Sequence, residues 1–250
     1  MVHIELDENE RIDVLNNGYK IIQGKKGLRF GTDSILLAGY IRVKKGENIV
    51  DLGTGTGIIP LLIAGRIEEI TVTAIEILPE IADRASRSVS LNGEEGKISI
   101  INADIRNIRN ILPSGSADVV SCNPPYYVNK SGKLSPDNDR NIARCDVECS
   151  LHDVAIASKW LLRYGGRLIM VLKPQRLCDA VYELREAGLE PKNMKFVYPN
   201  PKKEAFLLLL ESYKGARPGL KIQETLFVKD ENNVETEDFL KYYKNYNQQI

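Results

Sequence analysis

The chain has 250 residues, equal numbers of acidic and basic side chains (34 each) and 43% hydrophobic residues, a composition that suits one α/β core with additions at its ends. A net charge of zero excludes a nucleic-acid partner argued from the whole chain and leaves only local basic stretches to carry one. No apolar run approaches the roughly 18–20 residues that cross a bilayer, and the start, Met1-Val-His-Ile-Glu5, lacks the basic-then-apolar order of a signal peptide, so a cytoplasmic protein with no membrane contact is expected.

Taken in chain order, Arg11–Leu15 and Tyr19–Gln23 flank Asn16-Asn17-Gly18, which reads as a hairpin. Asp33–Arg42 reads as a helix capped by Thr32 or Asp33. From residue 49 to 172 apolar β-branched runs alternate with longer amphipathic segments, the pattern of a parallel sheet covered by helices. The expected strands are Ile49–Leu52, Thr71–Glu76, Ile98–Ala103, Asp118–Cys122 and Arg167–Leu172. The expected helices are Ile58–Arg66, Pro79–Leu91, Leu151–Tyr164 and Gln175–Ala187. Lys195–Tyr198 and Ala205–Leu210, separated by Pro199-Asn-Pro201, then read as an antiparallel pair at the sheet edge. Leu220–Val228 reads as a strand and Thr236–Tyr246 as a helix. The expectation is an α/β, Rossmann-like, doubly wound and mostly parallel seven-stranded sheet with an antiparallel edge hairpin. Residues 1–48 form an N-terminal extension and 49–250 the main domain.

After the first core strand comes Asp51-Leu-Gly53-Thr54-Gly55-Thr-Gly57, followed by a helix. Glycines let a ligand approach the backbone closely, and the helix start adds donors, so this is a nucleotide-binding turn. Glu76 ends the next strand, 19 positions after Gly57, where a carboxylate accepts from ribose hydroxyls. Asp104, after the third strand, is placed to accept from an adenine amino group. Dinucleotide dehydrogenases share the ribose acid, but their fingerprint is Gly-x-Gly-x-x-Gly. A carboxylate at Asp51 repels a pyrophosphate and attracts the ammonium and sulfonium of S-adenosyl-L-methionine.

Asn123-Pro124-Pro125-Tyr126 follows the fourth strand, at the edge where open α/β sheets bind ligands. An exocyclic amine on a flat ring delocalises its lone pair and is a poor nucleophile. Two acceptors, the Asn123 side-chain oxygen and the Pro124 carbonyl, draw that nitrogen toward tetrahedral geometry and aim its lone pair at a sulfonium methyl. The prolines hold the turn rigid, and Tyr126 offers a ring for stacking. Methyl transfer to such an amine follows from the two motifs together. Cys145, Cys149 and His152 have no zinc or iron–sulfur spacing, so no metal is expected and the cysteines read as free thiols.

With these motifs on the page, the chain resembles the class I S-adenosylmethionine-dependent methyltransferases. Within them it is similar to the bacterial valine-tRNA adenine-N6 methyltransferases, in their Gram-positive version. Gly31-Thr-Asp-Ser-Ile-Leu-Leu37, Leu189-Glu-Pro-Lys192, Lys203-Glu-Ala205 and Arg217-Pro-Gly-Leu-Lys-Ile222 extend the likeness over most of the chain. The resemblance implies transfer to N6 of an RNA adenosine, in the tRNA anticodon loop. It implies Thr32, Asp33, Asp51, Gly53, Thr54, Gly55, Gly57, Glu76, Asp104 and Asn123 as cofactor contacts, and Asn123, Pro124, Pro125 and Tyr126 as the catalytic motif. Lys25, Lys26, Arg29, Arg144, Lys202 and Lys203 are the candidate RNA contacts, drawn from two basic stretches and from the run after the motif. That run reads Ala143-Arg144-Cys145-Asp146 where the family commonly shows Ala-Arg-His-Glu. Alternatives left open are a protein glutamine or an rRNA guanine-N2 methyltransferase, and, as a different class, a non-catalytic RNA-binding module.

Overall fold

The computed structural model describes residues 5–15, 17–26, 31–124 and 149–244. The N-terminal hairpin pairs β1 (Glu10–Val14) with β2 (Lys20–Gly24), and α1 (Thr32–Tyr40) follows. The main sheet is then laid down by β3 (Asn48–Leu52), β4 (Thr71–Glu76), β5 (Ile98–Asn102), β6 (Ala117–Cys122), β7 (Leu162–Leu172), β8 (Leu189–Tyr198) and β9 (Leu207–Lys214), with β10 (Lys221–Ile222) and β11 (Leu226–Phe227) added outside β8. Between them lie α2 (Ile58–Ala64), α3 (Pro79–Leu91), α4 (Leu151–Leu161), α5 (Leu177–Glu186) and, at the end, α6 (Glu237–Lys244).

The strand order is β10-β8-β9-β7-β6-β3-β4-β5, with β11 also on β8. β3 to β7 pair in parallel, and β9 runs antiparallel between β7 and β8. The expected seven-stranded, mostly parallel sheet is therefore present with its antiparallel pair. Two details differ. β8 is not the outermost strand, because β10 and β11 pair with it in parallel. The single strand expected over Leu220–Val228 is broken into these two short pieces.

Helix identities follow from local pattern. All seven residues of α2 (Ile-Ile-Pro-Leu-Leu-Ile-Ala) are buried, as a helix apolar on every side must be. It lies inside one hydrophobic cluster shared with Leu15 and Ile21 of the hairpin segment and with Leu36 and Leu37 of α1. The extension and the sheet thus close over the same core. In α3, Pro79 occupies the first turn, where its missing N–H costs nothing, and Ala82, Ala85, Ser88 and Val89 are buried at helical spacing. Ser150 starts α4 through a capping box with Asp153: its hydroxyl accepts from the Asp153 N–H at 3.2 Å, and the Asp153 carboxylate accepts from the Ser150 N–H at 2.9 Å. α4 stops at Leu161, and the expected helical residues to Tyr164 belong instead to β7.

The hairpin is held to α3 by charge. Glu10 is 4% exposed and takes Arg84 Nε at 2.8 Å and Arg87 Nη2 at 2.6 Å. The Arg87 and Arg84 guanidiniums, opposed by burial, hold its carboxyl down at about 2. Tyr19 donates to Glu94 beyond the end of α3.

Candidate active site

The register of three adjacent strands sets the site. Leu52 of β3 faces Ile75 of β4 on one side and Cys122 of β6 on the other. The residues that follow, Gly53, Glu76 and Asn123, therefore stand in one row at the carboxyl edge, at strand spacings of about 4.8 Å. The two motifs, some 70 positions apart in sequence, are brought side by side by parallel pairing alone.

The glycine turn is compact. Gly53 and Thr54 N–H both donate to the Ile75 carbonyl, at 2.9 and 3.0 Å, and Gly57 N–H donates to the Thr54 carbonyl at 3.1 Å. The φ values of Gly53, Gly55 and Gly57 are 68°, 58° and 84°, a region open mainly to glycine. A Cβ at Gly53 or Gly55 would meet nothing within 4 Å, so space lies open on that side of the turn, whereas one at Gly57 would press on Ala85 at 3.4 Å.

Glu76 closes the turn from the neighbouring strand. Its Oε2 accepts from Gly55 N–H at 2.9 Å and its Oε1 from Leu78 N–H at 3.0 Å. Burial raises its pKa above the ordinary carboxylate value, against these backbone donors. Asp51 lies opposite Ser121 in the β3–β6 pairing and accepts from the Ser121 hydroxyl at 2.6 Å. It is 1% exposed, and burial pushes its carboxyl up to about 7, helped by the charge of Glu76 and opposed by the Ser121 and Thr54 hydroxyls. Asp51 Oδ2 and Thr54 Oγ1 are buried, and although the hydroxyl lies near enough to the carboxylate to lower its pKa, neither atom makes a well-formed hydrogen bond. Buried polar atoms are rarely left so. Two orphaned oxygens beside an open glycine turn fit a ligand that brings positive charge and donors, which S-adenosylmethionine does.

Asn123 follows β6, and its Nδ2 donates to the Ser34 hydroxyl at 2.9 Å. Ser34 is buried in the first turn of α1, and its own N–H donates to Asp33 Oδ1 at 2.9 Å. With the amide nitrogen turned to α1, the amide oxygen faces away from that helix. Pro124 is buried. Ser34 and Ser121 were not singled out in the sequence. Ser121 was legible in principle, as the β6 residue two before the catalytic motif, but the contact of Ser34 depends on a helix 89 positions away.

Several expected roles change. The cap of α1 is Gly31, with no side-chain cap bond; Thr32 and Asp33 are already helical, because Asp33 folds over the first turn, where a Cβ on Gly31 would lie 2.6 Å from its Oδ1. Asp104 lies two residues past β5 and caps a short 3-10 helix, Ile105–Asn110. Its Oδ1 accepts from the Arg106 backbone N–H at 2.9 Å and its Oδ2 from Arg106 Nε at 2.8 Å, and the Arg106 guanidinium holds its carboxyl below the ordinary range. An adenine amino group would share that carboxylate with Arg106. Lys25 Nζ donates to the Glu8 carbonyl at 2.7 Å, Lys26 is exposed at the end of β2, and Lys202 and Lys203 are exposed in the turn between β8 and β9. Arg29, Pro125, Tyr126, Arg144 and Cys145 lie outside the described residues. Among the described residues no group of His, Cys, Asp or Glu could hold a metal ion, His152 Nδ1 lies 2.8 Å from Glu183 Oε2, and no helix is long and apolar enough to cross a membrane.

Known proteins agree with this geometry. The methyltransferase small domain family matches residues 24–187. The chain is 30% identical over 171 residues to a tRNA1(Val) (adenine(37)-N6)-methyltransferase of Tolumonas auensis, covering 68% of this chain and 69% of that protein. It is 27% identical to the protein of the same name from Haemophilus influenzae, over 91% and 95% of the two chains. Among solved structures, a predicted O-methyltransferase from Agrobacterium tumefaciens superposes with a TM-score of 0.71 at 22% identity, over 86% of this chain and 96% of that one. With the glycine turn, the buried acid at Asp51 and the match over residues 24–187 in agreement, the chain belongs to the methyltransferase small domain family and is an S-adenosylmethionine-dependent methyltransferase.

Proposed function

We propose that this enzyme methylates the exocyclic N6 of an adenosine in RNA, and that its target is an unpaired adenosine of a tRNA anticodon loop. The observation that carries the reading is the Asn123 amide. It stands beside the glycine turn with its nitrogen held by Ser34 at 2.9 Å, which turns the amide oxygen away from α1. The names of the relatives in Tolumonas auensis and Haemophilus influenzae support the same chemistry and substrate.

Asp51, Thr54, Gly55 and Glu76 would hold the cofactor. When bound, S-adenosylmethionine supplies an electrophilic methyl group on a sulfonium. Asn123 Oδ1 and the Pro124 carbonyl accept from the two N–H bonds of the target amine, which localises its lone pair. No strong base has to act before transfer, because the methylated cation is acidic enough to lose its proton afterwards. An adenosine has to leave its stack to reach this edge, which costs a few kcal/mol and least for an unpaired base.

Charge placement favours a polynucleotide. The β8–β9 turn lies at the same sheet edge as Asn123, because β8 runs parallel to β7. From β6 to β8 is three strand spacings, about 14 Å, and from β6 to β4 is two, about 10 Å. Lys202 and Lys203 thus lie at that edge on one side of Asn123, and Lys25 and Lys26 follow β2, which packs along α3 over β4 and β5. Beside Lys203 a shallow, open depression lies between Lys173, Pro199, Glu204 and Phe206, with Lys173 Nζ 5.9 Å from the centre of the Phe206 ring. Two lysines and an aromatic ring suit a nucleotide flanking the target, with Glu204 opposing them.

The test is transfer of labelled methyl from S-adenosylmethionine to tRNA, rRNA, DNA and release-factor protein in parallel, followed by nucleoside analysis. The expected product is N6-methyladenosine in tRNA. Label in protein alone, or N2-methylguanosine in rRNA, would replace this reading.

A further inference from the structure

Gln23, in β2, has no solvent exposure, and neither its Nε2 nor its Oε1 has a hydrogen-bond partner. A side-chain amide buried with both ends unpaired destabilises the fold, and such groups persist where a ligand completes them.

Its neighbours locate the amide. Along α3, the Lys20 N–H donates to Asn92 Oδ1 at 2.8 Å and the Ile22 N–H to Ser88 Oγ at 2.9 Å. A Cβ on Gly24 would lie 3.7 Å from Arg84 Nη1. Gln23 is therefore level with residues 84–88, the stretch in which Ala85 packs on Gly57. At the other end of the hairpin strand, Asn17 and Tyr19 lie against Gly65, just past α2. β2 thus runs along α3 from its C-terminal end toward residue 84, with its Tyr19 end against Gly65, just past α2. Side chains alternate along a strand, so Gln23 shares the face of Ile21, which packs in the cluster containing α2. That face also carries Arg11, opposite Gln23 across the hairpin and with its Nε unpaired, and Gln23 is level with Ala85, which packs on Gly57 of the turn whose Asp51 Oδ2 and Thr54 Oγ1 have no formed hydrogen bond.

We infer that Gln23 is a further cofactor-binding residue, which holds the amino-acid end of S-adenosylmethionine. Asp51 gives the turn an acceptor for the α-ammonium. The Gly53, Thr54, Gly55 and Gly57 N–H groups are committed to Ile75, Glu76 and Thr54, which leaves the α-carboxylate to the first N–H groups of α2 and to a side-chain donor. Gln23 Nε2 supplies one, and Oε1 beside it accepts from the ammonium.

The inference rests on this turn holding S-adenosylmethionine, and calorimetry on the apo protein separates the two claims. Wild type and Gln23→Met are titrated with S-adenosylmethionine and with 5′-methylthioadenosine, which lacks the amino-acid end, and their apo melting temperatures are compared. Gln23→Met should weaken S-adenosylmethionine about 10- to 100-fold, the value of hydrogen bonds to charged groups. It should leave methylthioadenosine within about twofold and raise the apo melting temperature, because two unpaired atoms are removed. Gln23→Leu should repeat the pattern if Met packs poorly. Unchanged affinity for S-adenosylmethionine would overturn the inference, as would an equal loss for both ligands. Wild type that bound neither would overturn the cofactor assignment instead.

Discussion

Removing the Ser34 hydroxyl isolates the step in which the N-terminal extension meets the chemistry. In Ser34→Ala the Asn123 amide loses an acceptor that holds its nitrogen at 2.9 Å, so the orientation that presents oxygen rather than N–H to the target amine is less firmly set. A hydrogen bond of this kind is worth about 1–1.5 kcal/mol net, so kcat should fall about 5- to 12-fold. Asn123→Ala removes the acceptor itself and should lower kcat by about two to three orders of magnitude, the usual cost of one group that stabilises developing charge. The two losses should not add. Once the amide is gone, the hydroxyl has nothing to orient, and Ser34→Ala in the Asn123→Ala background should cost less than about 0.5 kcal/mol. Single-turnover methyl transfer at saturating cofactor gives the four rates, and calorimetry should find S-adenosylmethionine affinity within a few fold throughout. Equal Ser34→Ala losses in both backgrounds would refute the reasoning and leave Ser34 as a packing residue of α1. An Asn123→Ala enzyme of normal rate would refute the role of the amide.

Asp51, pushed up to about 7 by burial, gives a pH signature. Because its folded pKa is raised, Asp51 should cost the apo protein stability as pH climbs from about 4 to 7, so the melting temperature of Asp51→Asn should gain on that of wild type across that window, checked by thermal scans of the two side by side. The ionised carboxylate is the form that attracts the cofactor's ammonium, so wild-type affinity for S-adenosylmethionine should rise from pH 6 to 8 and that of Asp51→Asn should stay low and flat. Glu10 has the opposite sign. Its carboxyl is held at about 2 by Arg87 and Arg84, below an ordinary 4.5, which at about 1.4 kcal/mol per pH unit amounts to roughly 3 kcal/mol. Glu10→Gln should cost about that much in urea unfolding at pH 7, and the difference should shrink below pH 4.5 and vanish near 2. For the basic edge, Lys202→Ala with Lys203→Ala should reduce the slope of log K for tRNA against log salt by about 1.4 to 1.8, read from filter binding; an unchanged slope would remove these lysines from the RNA path.

Much of this protein is legible from local pattern. Alternating β-branched runs, the glycines at 53, 55 and 57 and the Pro-Pro turn each reflect constraints within a few residues: strand pleat, left-handed φ, a missing N–H. Such constraints yielded the core strands to within a few residues for β3 to β6, the helix Pro79–Leu91 without change, and the order of the motifs along the sheet. They said less where pairing decides the outcome. Leu189–Met194 extends β8 well upstream of Lys195 because β9 pairs with it from Leu189 onward, and Leu220–Val228 splits because only its ends reach β8.

The site shows the same division. Where the candidate residues stand was written in the chain, since Asp51 is the penultimate residue of β3, Glu76 ends β4 and Asn123 follows β6. Their states were not. Asp104 reads as a free acceptor in sequence and is paired with Arg106 in space. Asp51 reads as an ordinary carboxylate and is raised by its burial. Ser34 and Gln23 read as a helix residue and a strand residue, and become polar partners of the site only when the extension folds onto α2 and α3. Backbone propensity and motif spacing act over a turn or two and can be read in one dimension, whereas desolvation and side-chain hydrogen bonding depend on which distant atoms share a volume, and only the closed tertiary structure determines that.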